Sequence, residues 1–168
     1  MAGPPREADD AVEQWAGSGG VAVIHIFEFS AALCAALFAG AALYINVAEH
    51  PARMALETRS AALQWAPSYE RATWMQAPLA VLSCLGGIGA WLMDAGAGWL
   101  VAAVLIGAVV LFTLIGIMPT NHKLLAAGRD LGSSETRMLL ERWGKLHAVR
   151  TCLSLLATLL YMGLLLRP

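Results

Sequence analysis

The sequence predicts an all-α integral membrane protein, a four-helix up-down bundle. Of its 168 residues, 58% are hydrophobic and only 14% are charged, whereas a soluble domain carries about 25% charge. Four apolar runs, about residues 28–47, 77–93, 99–118 and 148–166, approach or reach the roughly 20 residues that a helix needs to cross a hydrocarbon core. The runs are continuous rather than alternating, which argues against the strands of a membrane barrel.

Residues 1–20, MAGPPREADDAVEQWAGSGG, are polar, acidic and rich in glycine. They read as a disordered tail in front of a membrane domain over residues 21–168. The first run is too long and too late for a signal peptide, and no small-residue cleavage site follows a short apolar core. It is expected to stay as a helix. Ala32, Ala36 and Gly40 recur every four residues along it, a smooth stripe of the kind that lets membrane helices approach closely. The second run is short, but the flank Thr73–Gln76 can lengthen it, and Gly86 and Ala90 offer a second small-residue stripe. The tight turn DAGAG joins it to the third run. Trp65, Trp74 and Trp143 are expected near one membrane interface, with Trp91, Trp99 and Tyr161 near the other, as aromatic belts. Cys34, Cys84 and Cys152 lie singly in three runs and read as small apolar fillers rather than a redox pair.

Lysine and arginine set the expected orientation. Arg53, Arg59 and Arg71 lie between the first and second runs, and Lys123, Arg129, Arg137, Arg142 and Lys145 between the third and fourth. Only Arg6 and Arg167 lie at the ends. Two long loops facing the cytoplasm and both termini outside are therefore expected.

The third run ends in MPTNHKLL, residues 118–125. This is a membrane exit that also carries polar groups, and the other three helices bring polar groups to the same level. The first helix ends in YINVAEHPARM, where Asn46 and His50 are four residues apart and Glu49 is adjacent. Pro51 cannot donate to the carbonyl of Val47, so the helix kinks or restarts there. The second helix enters through WAPSYERATWMQAP with Tyr69, Arg71 and Gln76. The fourth enters through ERWGKLHAVRTCLS, where Trp143, His147, Arg150 and Ser154 follow the 4-3-4 spacing of one helical face. Ionisable groups inside spans are costly and usually face the bundle interior. The solvated roles of a positive-inside protein account for Arg71, Lys123 and Lys145, and a plain loop position accounts for His122. His25 and Glu28 read as a local pair.

Two histidines on different helices leave several chemistries open. His50 and His147, completed by Glu49, are candidate ligands for copper or iron, or the pair is the axial set of a haem, the less favoured case. No zinc-protease, P-loop or dinucleotide motif is present, and nothing in the charge pattern suits nucleic acid.

FAGAALYINVAEHPARM, WAPSYERATWMQAPLA, FTLIGIMPTNHKLL and LLERWGKLHAVR, in that order, resemble the anthrone oxygenase-like family of small four-helix membrane proteins. The likeness runs from about residue 30 to the C-terminus and leaves out the acidic tail. It implies that the chain is related to proteins some of which oxidise anthrones to anthraquinones with molecular oxygen. Motif by motif it singles out His50, Pro51, Trp65, Tyr69, Arg71, Gln76, Pro119, Thr120, Asn121, Trp143, His147 and Arg150. His122 falls where relatives more often carry a lysine or another polar residue.

The expectation is an oxygenase or oxidase taking a hydrophobic, polycyclic phenolic substrate from the lipid bilayer. His50 or His147 would act as base, Arg71 or Arg150 would stabilise an oxyanion, and Asn121 would join them. Asn46, Tyr69, Gln76 and Trp143 would hold the substrate. The alternatives are a haem- or quinone-binding electron-transfer protein and a non-catalytic accessory or lipid-binding subunit. The alanine-rich faces also permit a homo-oligomer.

Overall fold

A computed structural model describes residues 6–167, with side chains from Gly19 onward. The tail expected over residues 1–20 falls for the most part outside the described side chains. The elements are α1 (Arg6–Tyr44), α2 (His50–Met54), α3 (Thr58–Leu92), α4 (Ala97–Phe112), α5 (Met118–Leu124) and α6 (Ser134–Leu165), with no strand among the described residues. A five-residue π-helical turn, Ile45–Glu49, joins α1 to α2 without a break, and a second, Thr113–Ile117, joins α4 to α5. The segments Gly19–Met54, Thr58–Leu92, Ala97–Leu124 and Ser134–Leu165 are each long and apolar enough to cross a membrane. α1 and α4 each pack against both α3 and α6, which makes a four-membered ring of spans. The protein is an integral membrane four-helix bundle.

Both π-turns end just before an X-Pro pair. Pro51 and Pro119 have no N–H to give to the carbonyl four residues back. The helix widens ahead of each, so that the His50 N–H bonds to the Ile45 carbonyl and the Met118 N–H to the Thr113 carbonyl. The spans continue through both prolines rather than stopping.

The helices also run on past the apolar runs. α3 begins at Thr58 rather than near residue 77, and α6 at Ser134 rather than near residue 148. Their polar extensions each bury one face: Ala61, Ala62 and Trp65 on α3, and Thr136, Leu139, Leu140 and Trp143 on α6. Helical spacing, not mean hydropathy, holds them. The two long loops expected from the sequence therefore shrink to residues 55–57 and 125–133. Ser133 caps α6 by accepting from the Thr136 N–H at 3.2 Å. Arg137 donates to the Met54 and Leu56 carbonyls at 2.5 and 3.1 Å, fastening the end of α2 to α6.

At the opposite end the packing is of small residues. Ala31, Ala32 and Ala35 are buried, while Gly40 is exposed with open space around it. Of the expected Ala32–Ala36–Gly40 line, Ala32 is buried, Ala36 half-buried and Gly40 exposed, so the contact stripe leaves that line toward Ala35 and Ala39. Gly86 and Ala90 pack as expected: a Cβ on Gly86 would stand 3.0 Å from the Phe27 carbonyl oxygen and the Ala31 nitrogen. The aromatic belts are mostly absent. Trp65, Trp143, Trp99 and Tyr161 are buried, and only Trp74 and Trp91 face outward. The outer surface carries Leu, Val, Ile and Phe, as lipid contact requires.

Candidate functional site

The basic end of the bundle, where the α2–α3 and α5–α6 connections lie, is organised around Trp143. Its indole meets His147 on one side, with ring centroids 4.8 Å apart, and His50 on another, at 5.3 Å. Trp65 packs edge-on against it at 5.9 Å and is itself stacked on Tyr69 at 5.1 Å. Gly144 leaves room for this arrangement, since a Cβ there would overlap the His50 ring. The Asn46 amide donates to His147 Nδ1 at 2.9 Å and also reaches Thr151 Oγ1 and the Ala42 carbonyl. With Nδ1 accepting, the imidazole proton sits on Nε2.

A second cluster lies on the α1–α3 side. Arg53, only 2% exposed, donates to Glu49, Gln64 and Ser68, and Ser68 also donates to Glu49. Its guanidinium carbon stands 5.8 Å from the Trp143 ring centroid. The sequence places this arginine only among the cations between the first and second runs, with no site role. Its spacing of four from Glu49, on a face that continues past Pro51, is the signal that could have found it.

Between α3 and the α4–π–α5 span opens a cavity of about 170 Å³. Its mouth is apolar, with Val81, Val110 and Leu114 on the membrane-facing side. Its deep end carries Tyr69, Gln76, Asn121, Trp143 and Arg150. Gln76 and Asn121 are each 1% exposed. Arg150 donates to Gln76 Oε1 and lies 4.7 Å over the Phe38 ring. Tyr69 and Asn121 contribute long contacts to Met118 Sδ, 3.7 and 4.0 Å. Three buried polar atoms here find no partner among the described residues: Gln76 Nε2, Asn121 Oδ1 and Arg150 Nε. Buried polar groups are nearly always paired, because an unmade hydrogen bond costs about 1–3 kcal/mol. Two donors and one acceptor are thus left unpaired on residues that line the cavity. A void of about 20 Å³ adjoins this end and is lined by Arg53, Ser68, Gln76, His147 and Arg150 among others. That is room for about one water.

The structure thus brings Tyr69, Gln76, Asn121, Trp143 and Arg150 of the expected set to one cavity. His147 reaches only the adjoining void, and His50 and Asn46 line neither space. Arg71 is not part of this site. It is exposed and lines a separate open groove with Tyr44, Glu49 and Met75, so its expected oxyanion role is not served in this cavity.

The expected ligand set His50, His147 and Glu49 is not assembled. Arg53 and Ser68 occupy the Glu49 carboxylate, and no group of three or more His, Cys, Asp or Glu side chains able to hold a metal gathers among the described residues. A haem does not fit between His50 and His147 either, because the Trp143 indole packs against both rings. His122 is exposed, and His25 pairs with Glu28 at 2.9 Å.

A protein-family model described as anthrone oxygenase matches residues 65–160. The match covers more than half of the chain and contains every polar residue at the deep end of the cavity, from Tyr69 to Arg150. No curated protein and no solved structure matches.

Proposed function

The chain belongs to the anthrone oxygenase family, and we propose that it is a membrane oxygenase that takes a flat, polycyclic phenolic ketone from the bilayer and oxidises it with molecular oxygen. One observation carries the proposal: Gln76, Asn121 and Arg150, each with a buried polar atom left unpaired, line a cavity whose mouth opens between α3 and α4. An apolar ring system enters along the α3–α4 seam, and its oxygens reach donors and an acceptor that no protein group satisfies.

The chemistry follows from where the positive charge sits. A ring methylene conjugated to a ketone becomes acidic when the enolate oxygen is stabilised. Arg150, buried beside that oxygen's seat, supplies the stabilisation and needs no reorganisation to do so. Gln76 Nε2 adds a second donor, and Asn121 Oδ1 accepts a phenolic hydrogen and fixes the ring's orientation. The methylene proton passes to water in the void beside His147. The enolate gives its electrons to dioxygen, a carbon–oxygen bond forms, and loss of water from the resulting hydroperoxide leaves the new quinone carbonyl. His147, held by Asn46 with its proton on Nε2, acts here as a donor toward the void rather than as the base. The excess of basic residues at this end supports a cytoplasmic placement of the site, with both termini outside.

The test is oxygen consumption by the purified protein in lipid nanodiscs with anthrone, followed with the absorbance of the anthraquinone product. Turnover with one oxygen consumed per quinone is expected, lost in Gln76→Leu/Asn121→Leu at unchanged melting temperature. Equal turnover in that variant and the wild type would remove the cavity from the reaction.

A further inference from the structure

The cavity does not end where its mouth meets the bilayer. It continues into an apolar groove of about 480 Å³ along the same α3–α4 seam. Ala80, Val81 and Val110 line both spaces. Beyond them the groove runs past Cys84 and Ile88 on α3, and past Val104 and Gly107 on α4. Small residues make its floor: Ala103, Gly107 and Ala108 lie where larger side chains would close it. A Cβ on Gly107 would meet nothing nearer than Cys84 Sγ, at 3.6 Å, so the space is open groove and not a tight helix contact. From Ala80 to Ile88 the helix rise gives it a length of about 12 Å.

We infer that the substrate is a tailed amphiphile, its polycyclic head in the cavity and a prenyl or alkyl chain in this groove, an assignment that rests on the proposed oxygenase reading. Unpaired polar atoms lie at one end of the continuous space, on Gln76 and Asn121, while the hydroxyls of Thr73 and Thr113 are taken by the Tyr69 and Val109 carbonyls. A single molecule with one polar and one apolar end matches that profile. Two separate occupants would have to meet end to end at Ala80, Val81 and Val110. The tail gains little hydrophobic energy over bulk lipid, which is as apolar as the groove. Its contribution is to align the head with the cavity mouth and to restrict the approach to the α3–α4 seam.

The test uses a hydroxyanthraquinone carrying a ten-carbon tail with a terminal diazirine, photolysed with the full-length protein in nanodiscs and mapped by mass spectrometry. Crosslinks are expected on the Ile88 and Val104 walls. They should be lost when an excess of tail-less hydroxyanthraquinone occupies the cavity, and lost again in Gly107→Leu, which fills the groove without touching the cavity. Ala108→Leu serves as a second blocking variant should Gly107→Leu fold poorly. Crosslinks spread over all lipid-facing helices would overturn the assignment, as would groove crosslinks that the tail-less competitor leaves unchanged, which would make the groove an ordinary lipid seat. Binding of the tail-less compound, measured by tryptophan quenching, reports on the head site alone. Its presence without groove crosslinks overturns only the tail, and its absence overturns the oxygenase reading and the tail together.

Discussion

Arg150 separates a catalytic reading of the cavity from a structural one, and Arg150→Met is the informative change. The guanidinium lies on a buried face of α6, donates to Gln76 and covers the Phe38 ring, and no ion-pair partner stands near it among the described residues. Removing it loses a charge-assisted hydrogen bond of about 1.5–3 kcal/mol and a cation–ring contact of about 1 kcal/mol. It also relieves the desolvation of an unpaired cation, about several kcal/mol for a buried ion. Methionine replaces the aliphatic stem with little change of volume. The opposing effects nearly cancel, so the melting temperature should move by no more than about 5 °C in either direction, at roughly 2–4 °C per kcal/mol for a chain of this size. Catalysis should respond differently. An oxyanion donor is worth about 10²–10³ in rate, and a loss of that order in kcat is expected with anthrone while the fold persists. The two quantities are read on one preparation, by thermal denaturation in detergent and by quinone formation. A fall in melting temperature like that of a core truncation, about 3 kcal/mol, together with unchanged kcat, would refute the reasoning and make Arg150 a structural residue.

Two further outcomes probe the supporting layer. Gly144→Ala places a methyl against the His50 ring, so the usual helix gain of about 1 kcal/mol should be outweighed by an overpacking cost of about 1–3 kcal/mol; thermal melts should show a net loss that the His50→Ala background removes. Glu49→Gln leaves buried Arg53 without its anion and should cost about 3 kcal/mol, near the lower end for a broken buried pair because Glu49 is partly exposed. Denaturant titration of the Glu49→Leu/Arg53→Met double variant should return most of that loss, and a double variant as weak as the single one would show that the pair is not the source.

Much of the bundle was legible in the residues. The four apolar runs gave the spans, and the 4-3-4 spacing of Trp143, His147, Arg150 and Ser154 gave the inward face of α6. What was hidden lay in partners rather than in spacing. The polar extensions of α3 and α6 look like loops until Trp65 and Trp143 are seen to bury each other. The tryptophans look like interface belts for the same reason. The cavity between α3 and α4 is a lateral gap between helices, and no run of sequence marks a space that two distant segments leave open.

Arg53 shows how one proline redirects a helix face. Along α1 the buried positions advance by four and three, through Ala31, Ala35, Phe38, Ala42 and Ile45. A uniform helix would carry that stripe to positions 49 and 52. The stripe instead arrives at Arg53, while Ala52 is exposed. The π-turn Ile45–Glu49, widened ahead of Pro51, holds one residue more than an α-turn would, and each residue of an α-helix turns the face by about 100°. That extra residue carries Arg53 off the outward face, where its loop-cation neighbours sit, and under Trp143, where it meets Glu49, Gln64 and Ser68. It also keeps Asn46 and His50 both directed at α6, one against His147 and Thr151 and the other against Trp143. Pro51 therefore acts on the site at a distance, by setting the register in which the end of the first span meets the fourth. The same device recurs ahead of Pro119, so the two spans that flank α6 each reach the polar layer through a widened turn.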